Sequence, residues 1–241
     1  MSEESTSLNK YLSSTGICSR READKWIEAG RVKINDTIAI KGNRVFEKDQ
    51  VFLDDKLIEN KTQPIYIMLN KPPGITCTTD LKDRDNIIDF VNHPQRIFPI
   101  GRLDKPSSGL ILLTNDGDIV NQILRVENHH EKEYIVTVNQ PITEEFITRM
   151  SQPIPMLGTK THPCKVQRLK KNLFKIILTQ GLNRQIRRMV EFCDYRVVTL
   201  KRVRIMHINI NDLKVGQWRD LTTQELSELK DRVAISKKHI D

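Results

Sequence analysis

Gly101-Arg102-Leu103-Asp104-Lys105-Pro106-Ser107-Ser108-Gly109-Leu110-Ile111-Leu112-Leu113-Thr114 changes character halfway along. A charged stretch bounded by Gly and Pro runs directly into an unbroken apolar run. A short apolar run flanked by turn residues predicts a buried strand. The loop in front of it places a carboxylate, Asp104, between the cations Arg102 and Lys105. A surface loop needs no such strand behind it, and a core strand needs no such charges in front. A pre-positioned reactive carboxylate needs both: rigid support, and positive charge nearby that favours its ionised form. A bare Arg-Leu-Asp tripeptide would be an ordinary turn, so the surroundings decide. Asp116, the other acid close by, sits in Asn115-Asp116-Gly117, which reads as a turn.

Outward from this loop the pattern is mixed. Ile65–Leu69 predicts a strand broken by Asn70-Lys71-Pro72-Pro73-Gly74, a rigid turn. Asp85 to Val91 predicts a short helix. Asp118 to Arg125 predicts another, with Ile119, Ile123 and Leu124 facing inward. Glu133 to Val138 alternates as a strand. Thr143 caps a helix over Glu144–Met150, Val166–Leu169 and Phe174–Leu178 are strands, Asn183 to Cys193 is helical, and Thr199–Ile210 is a long basic strand. Strands with a few helices and no regular βαβ alternation predict an α+β fold with a mostly antiparallel mixed sheet.

The first sixty residues read as a separate module. Leu8, Tyr11 and Leu12 form one apolar helical stripe. Ser19-Arg20-Arg21-Glu22 is a capping box opening a helix that carries Ala23, Trp26 and Ile27 on one face and stops at Gly30. Val32 and Ile34, then Ile38 and Ile40, predict a hairpin turning at Asn35-Asp36. A second strand pair is expected from Val45 and Val51–Leu53, with a turn at Asp54-Asp55. Lys61-Thr62-Gln63-Pro64 is a short polar linker, so the expected division is 5–62 and 63–241.

The chain has 241 residues and a net charge of +8. Residues 160–204 carry thirteen Lys and Arg against two acids, whereas residues 1–62 carry eleven of each. A localised basic field points to a polyanion, nucleic acid first. The apolar runs are too short to span a bilayer, and the polar, acidic start Met1-Ser2-Glu3-Glu4 predicts no signal peptide; a cytoplasmic protein is expected. Cys18, Cys77, Cys164 and Cys193 form no CxxC pair, and the histidines lack ligand spacing, so neither disulfide nor metal is expected.

Leu8-Asn9-Lys10-Tyr11-Leu12, Gly16 to Asp24 and Gly30-Arg31-Val32-Lys33-Ile34-Asn35 together resemble the S4 RNA-binding domain. Arg20 and Arg21 at a helix start suit phosphate contacts. Beyond the module, three segments resemble the S4-domain-containing pseudouridine synthases, in order and spacing. Lys71-Pro72-Pro73-Gly74 fits the family's K-P-x-G turn. Gly101 to Gly117 fits its G-R-L-D…L-T-N-D-G block, and Gly181 to Met189 its N-R-Q-I-R-R-M block. The resemblance runs from Leu8 to about Leu226 and is strongest to the F-type large-subunit branch.

That resemblance implies isomerisation of uridine to pseudouridine in 23S ribosomal RNA, with a structured tRNA as a second target and no cofactor. It makes Asp104 the catalytic aspartate, Tyr134 the aromatic that stacks on the uracil, and Arg187 the cation paired with Asp104. Arg102 would help displace the base, and Leu103, Lys105, Arg184, Gln185 and Ile186 would line the RNA-contacting edges. The reaction breaks N1–C1′ and joins C5 to C1′ without redox change or net hydrolysis. Extruding the base costs a few kcal/mol, which an Arg in the vacated space and a stacking ring would offset. Whether Asp104 attacks C1′, attacks C6 or removes a sugar proton stays open, as do the target uridine and the oligomeric state; a monomer is the plainest expectation. The rival readings are a non-catalytic RNA-binding assembly factor and a glycosidase, which would need a second credible acid beside Asp104.

Overall fold

The computed structural model describes residues 5–59, 63–125 and 128–237. Met1–Glu4, Lys61 and Thr62 of the expected linker, and His239 lie outside them. The chain divides into two compact units. One comprises the described residues up to Pro64 with Pro94–Arg96 and Asn115–Gly117; the other comprises Ile65–His93, Ile97–Thr114 and the residues from Asp118 onward.

In the first unit, β1 (Ser5–Ser7) leads into α1 (Leu8–Ser14) and α2 (Arg20–Glu28). The capping box is present: Glu22 N–H donates to Ser19 Oγ at 3.1 Å, and Ser19 N–H to Glu22 Oε2 at 3.4 Å. Strands β2 (Val32–Ile34), β3 (Thr37–Ile38), β4 (Arg44–Phe46), β5 (Val51–Leu53) and β6 (Lys56–Leu57) follow. Leu8, Leu12, Ala23, Ile27, Val32 and Val51 form the core. Two expectations are corrected. Val45 does not pair with the Val51 strand; β4 pairs with β1, and Arg44 Nε reaches Ser5 Oγ at 2.7 Å. The sides of β5 are taken by β2 and by β6, the latter returned through Asp54 and Asp55, both at positive φ as a tight hairpin turn requires. Ile38 and Ile40 are exposed, and Ala39 fills the core instead. The strand β3 is only two residues long, so its alternation does not carry forward to Ile40.

The second unit is built on a nine-stranded sheet. Its strands are β7 (Tyr66–Lys71), β8 (Phe98–Ile100), β9 (Ser108–Thr114), β10 (Lys132–Val138), β13 (Lys165–Lys170), β14 (Leu173–Leu178), β15 (Val197–Ile205), β16 (Ile208–Asn209) and β17 (Trp218–Asp220). The order is β13-β14-β10-β15-β9-β7-β17, with β16 on β15 and β8 on β9. A small hairpin, β11 (Pro155–Met156) and β12 (Thr159–Lys160), stands apart. The α+β fold with a mostly antiparallel sheet is as expected. The helices are α3 (Ile87–Val91), α4 (Gly117–Leu124), α5 (Glu144–Ser151), α6 (Gln185–Phe192) and α7 (Thr223–Lys237). One core packs Phe146 and Met150 of α5 and Ile186, Met189 and Val190 of α6 with Val136, Phe174 and Ile176 of the sheet. A second packs Ile119 and Ile123 of α4 and Leu229 and Val233 of α7 with Met68, Leu110 and Leu112.

Several details differ from expectation. β7 continues through Asn70 and Lys71, because a residue before proline favours extended backbone. α6 begins at Gln185, since Arg184 takes a left-handed φ of 50°. Leu124 is exposed. β15 ends at Ile205, where Met206 turns the chain into β16.

The parallel contact between β9 and β15 shapes the active unit. It registers only Lys201↔Ser108 and Arg202↔Gly109. Gly109 has φ +107°, and a Cβ there would lie 2.1 Å from the Arg202 carbonyl oxygen. Only glycine lets the two strands approach. Gly109→Ala should destabilise the protein by about 3 kcal/mol or more, since overpacking adds to backbone strain. Equilibrium denaturation checks this; an unchanged midpoint would contradict the close approach.

Candidate active site

Beside that junction lies a cavity of about 790 Å³. Asp104, Tyr134, Arg187, Lys132 and Arg202 all line it. The loop carrying Asp104 is held from several directions. Gly101 enters it at φ +77°. Leu103 N–H donates to Cys77 Sγ at 3.4 Å, and Ser107 N–H to the Asp104 carbonyl at 2.9 Å. Gly74 N–H donates to the Lys105 carbonyl at 2.7 Å.

Lys71 ties these turns together. Its side chain is fully buried, and its ammonium donates to the carbonyls of Pro72 and Ile75 at 2.8 Å each and of Lys105 at 3.4 Å. Burial pushes its pKa down, while the charge of Asp104 is among the influences that oppose this.

The Asp104 carboxylate is 34% exposed and faces Arg187, which is 11% exposed; Nε and Oδ2 are 3.6 Å apart. That is an ion pair longer than a hydrogen bond. Arg187 Nη2 donates to Ser107 Oγ at 3.0 Å, so the guanidinium is anchored to the same loop. Burial lowers the Arg187 pKa, and Asp104 works against that shift. The neighbouring Arg188 turns away and holds Asn183 through its carbonyl at 3.1 Å and its Oδ1 at 3.3 Å. The Arg pair therefore splits between the cavity and the loop before α6.

Tyr134 lies on β10 just after a register shift, in a largely buried position opposite Ile176 and Arg202. The Arg202 guanidinium is 6.0 Å from its ring centroid. Glu131 and Glu133, which flank Lys132 in sequence, are both drawn to Arg204, at 2.9 and 3.1 Å. Asp80 and Asp83 also line the cavity, each accepting a backbone N–H of its own turn at 3.0 Å.

The two cations flanking Asp104 in sequence do not pair with it. Lys105 is exposed and bridges to Asp85 at 2.7 Å. Arg102 is exposed at the cavity and enters no ion pair among the described residues. Arg184 is exposed at the start of α6. Leu103, Gln185 and Ile186 are buried: they form cavity wall, and Gln185 braces the turn through Leu182 N–H at 3.0 Å and Gln180 Oε1 at 3.3 Å. Arg20 and Arg21 are exposed at the start of α2 in the other unit. Sequence reasoning passed over Lys132, Cys77, Ser107 and Arg202, and took Lys71 only as part of a turn. A Lys immediately before Pro at the end of an apolar strand was the one available signal; Arg202 had none among the basic residues of β15. Among the described residues, no cluster of three or more His, Cys, Asp or Glu is placed to hold a metal ion.

An S4-like module followed by an antiparallel sheet with an Asp–Arg pair and a Tyr in one cavity defines a class of RNA-modifying enzyme. The chain belongs to the RNA pseudouridylate synthase family, whose model matches residues 65–192; an S4 domain model matches residues 6–51. It is an RNA pseudouridine synthase and isomerises uridine to pseudouridine. The dual-specificity RNA pseudouridine synthase RluF of Salmonella typhi is 54% identical over 95% of this chain and 80% of its own length. The ribosomal large subunit pseudouridine synthase B of Bacillus subtilis is 34% identical over 92% of this chain and 95% of its own. A crystal structure of a pseudouridylate synthase superposes with a TM-score of 0.69 at 30% identity, over 92% of this chain and 99% of that one. Among the described residues no helix is long and apolar enough to cross a membrane.

Proposed function

We propose that the enzyme extrudes its target uridine into the cavity beside β9 and β15, stacks the uracil on Tyr134 and acts on it with Asp104. The observation that carries this reading is the meeting of Asp104, Arg187 and Tyr134 on one cavity. Arg187, fixed to Ser107, stands as the counter-charge of the reacting carboxylate. Arg102, exposed at the cavity, has the reach and hydration to occupy the space the base leaves. Lys105 and Arg184 are further exposed cations close in sequence to this machinery and serve the RNA backbone. Residues 5–62 act as an RNA-binding module through Arg20 and Arg21, and residues 63–241 as the catalytic part. Phosphate contacts of this kind set register and leave base choice to the cavity and to RNA shape.

The substrates proposed are 23S ribosomal RNA and a structured tRNA, with the enzyme acting as a cytoplasmic monomer. The reading rests on the F-type resemblance and on the dual specificity in the name of a relative 54% identical. Purified protein incubated separately with unmodified 23S RNA and with total tRNA transcripts should place pseudouridine in both. Modification of one alone would reduce the proposal to that RNA; modification of neither would overturn it.

A further inference from the structure

When N1–C1′ breaks, the bonding pair leaves with the uracil. This holds on both sugar-side routes, in which Asp104 forms a C–O bond to C1′ or takes a proton from C2′, and the role inferred below belongs to those routes. The departing base is therefore an anion, its charge spread over N1, O2 and O4. It keeps that charge while it turns. C5 then uses the pair to bond C1′ as the C1′–O bond to Asp104 breaks or Asp104 returns the proton to C2′; the C5 proton goes to solvent, N1 takes up a proton, and Asp104 is left unchanged. The Asp104–Arg187 pair is committed to the sugar side of this exchange, so the pyrimidine anion needs a partner elsewhere in the cavity.

From this geometry we infer that Lys132 and Arg202 form the anion-binding wall that stabilises the departing uracil, a role that rests on the site reading above. Arg202 is 4% exposed and lines the cavity within reach of Tyr134. Its Nε is fixed to the Leu110 carbonyl at 2.7 Å, whereas its buried Nη2 has no hydrogen-bond partner among the described residues. Buried polar atoms are nearly always paired, so a guanidinium with a nitrogen left unpaired, on a side chain that lines the cavity, keeps charge that no protein acceptor takes up. Lys132 precedes Tyr134 by two residues on β10, and its ammonium makes one long contact, 3.4 Å to the His130 carbonyl. Neither cation has a carboxylate partner among the described residues. The acids beside Lys132 are held by Arg204. Burial, with the nearby Arg202 charge, brings the Lys132 pKa down to about 8. Two cations left close together without a counter-ion favour any arriving anion, and donors fixed before the charge develops act on the transition state.

The test varies the stability of the leaving anion. Fluorine at C5 makes the uracil anion intrinsically more stable, so a substrate carrying it depends less on the wall. Lys132→Met should slow single-turnover consumption of uridine RNA about 100-fold, the usual effect of losing one such donor, and of 5-fluorouridine RNA about 10-fold or less. RNA affinity should stay near that of the parent enzyme, and Lys132→Arg should recover most of the rate. Equal losses on the two substrates would overturn the inference. So would a loss confined to affinity, which would make Lys132 a phosphate contact. Should Lys132→Met be unfolded by circular dichroism, the same comparison with Lys132→Gln decides: a uridine-selective defect supports the wall, and an equal one overturns it. Parent enzyme that consumes neither substrate would instead refute the site reading.

Discussion

Asp104→Asn should abolish isomerisation, lowering the single-turnover rate by on the order of 10⁴-fold, as expected when the group that reacts with substrate is lost. At 1.36 kcal/mol per decade this is about 5.4 kcal/mol of transition-state stabilisation. The substitution keeps size and shape, so the loss is chemical. An amide neither forms the C–O bond to C1′ nor takes up a proton as a carboxylate does. The surroundings should hold, because the loop is fixed through its backbone atoms: Ser107 N–H on the Asp104 carbonyl, and the Lys71 ammonium and Gly74 N–H on the Lys105 carbonyl. RNA binding should therefore persist. Release of tritium from RNA labelled at C5 of uridine measures the rate, since the new C5–C1′ bond replaces the C5–H bond. Filter binding measures affinity. Retained isomerisation by the substituted protein would sink the role of Asp104. Parent protein that binds RNA tightly without making pseudouridine would favour the assembly-factor reading.

Arg187→Ala comes second, with an expected loss of about 10²- to 10³-fold in rate and a much smaller loss in RNA affinity. Two consequences combine. The carboxylate loses the opposite charge 3.6 Å away, and Ser107 loses the Nη2 donor that ties α6 to the Asp104 loop. Arg187 is only 11% exposed, so little of it is offered to the phosphate backbone. Arg187→Lys should recover the rate only in part. One ammonium does not reproduce the planar fork that addresses Asp104 and Ser107 together. Equal losses of rate and affinity on Arg187→Ala would contradict the ion-pair role and return Arg187 to a plain basic helix face.

Most of the architecture was legible because its signals are short. The capping box at Ser19 and Glu22, the turn at Asp54-Asp55, the apolar run Leu110–Leu113 and the Thr143 cap each involve a few consecutive residues, and each appears where those residues place it. The misread pieces are those where a partner is distant. Val45 pairs with the start of its unit, and Leu124 turns outward at the end of α4. The long basic strand bends at Met206. Asp104 and Arg187 were singled out through motifs of a resembling family, and Tyr134 through its match to that family's aromatic, since Tyr134 on a strand and Arg187 on a helix are each unremarkable alone.

The linear order of residues by itself determined a basic α+β protein with a capped N-terminal RNA-binding module, a buried strand behind Asp104 and a cationic helix start near Arg187. Folding in three dimensions decided which charge meets which. Lys105 lies beside Asp104 in the chain and goes to Asp85; Arg187 meets Ser107 from 80 residues away. It also decided that Lys71 is spent on three carbonyls while Arg202, which lines the cavity, keeps a buried nitrogen with no partner among the described residues. The physical reason is range. Propensity, capping and periodicity act within one turn or one strand, whereas pairing and desolvation depend on how β9 and β15 approach at Gly109, a contact that only the assembled sheet creates.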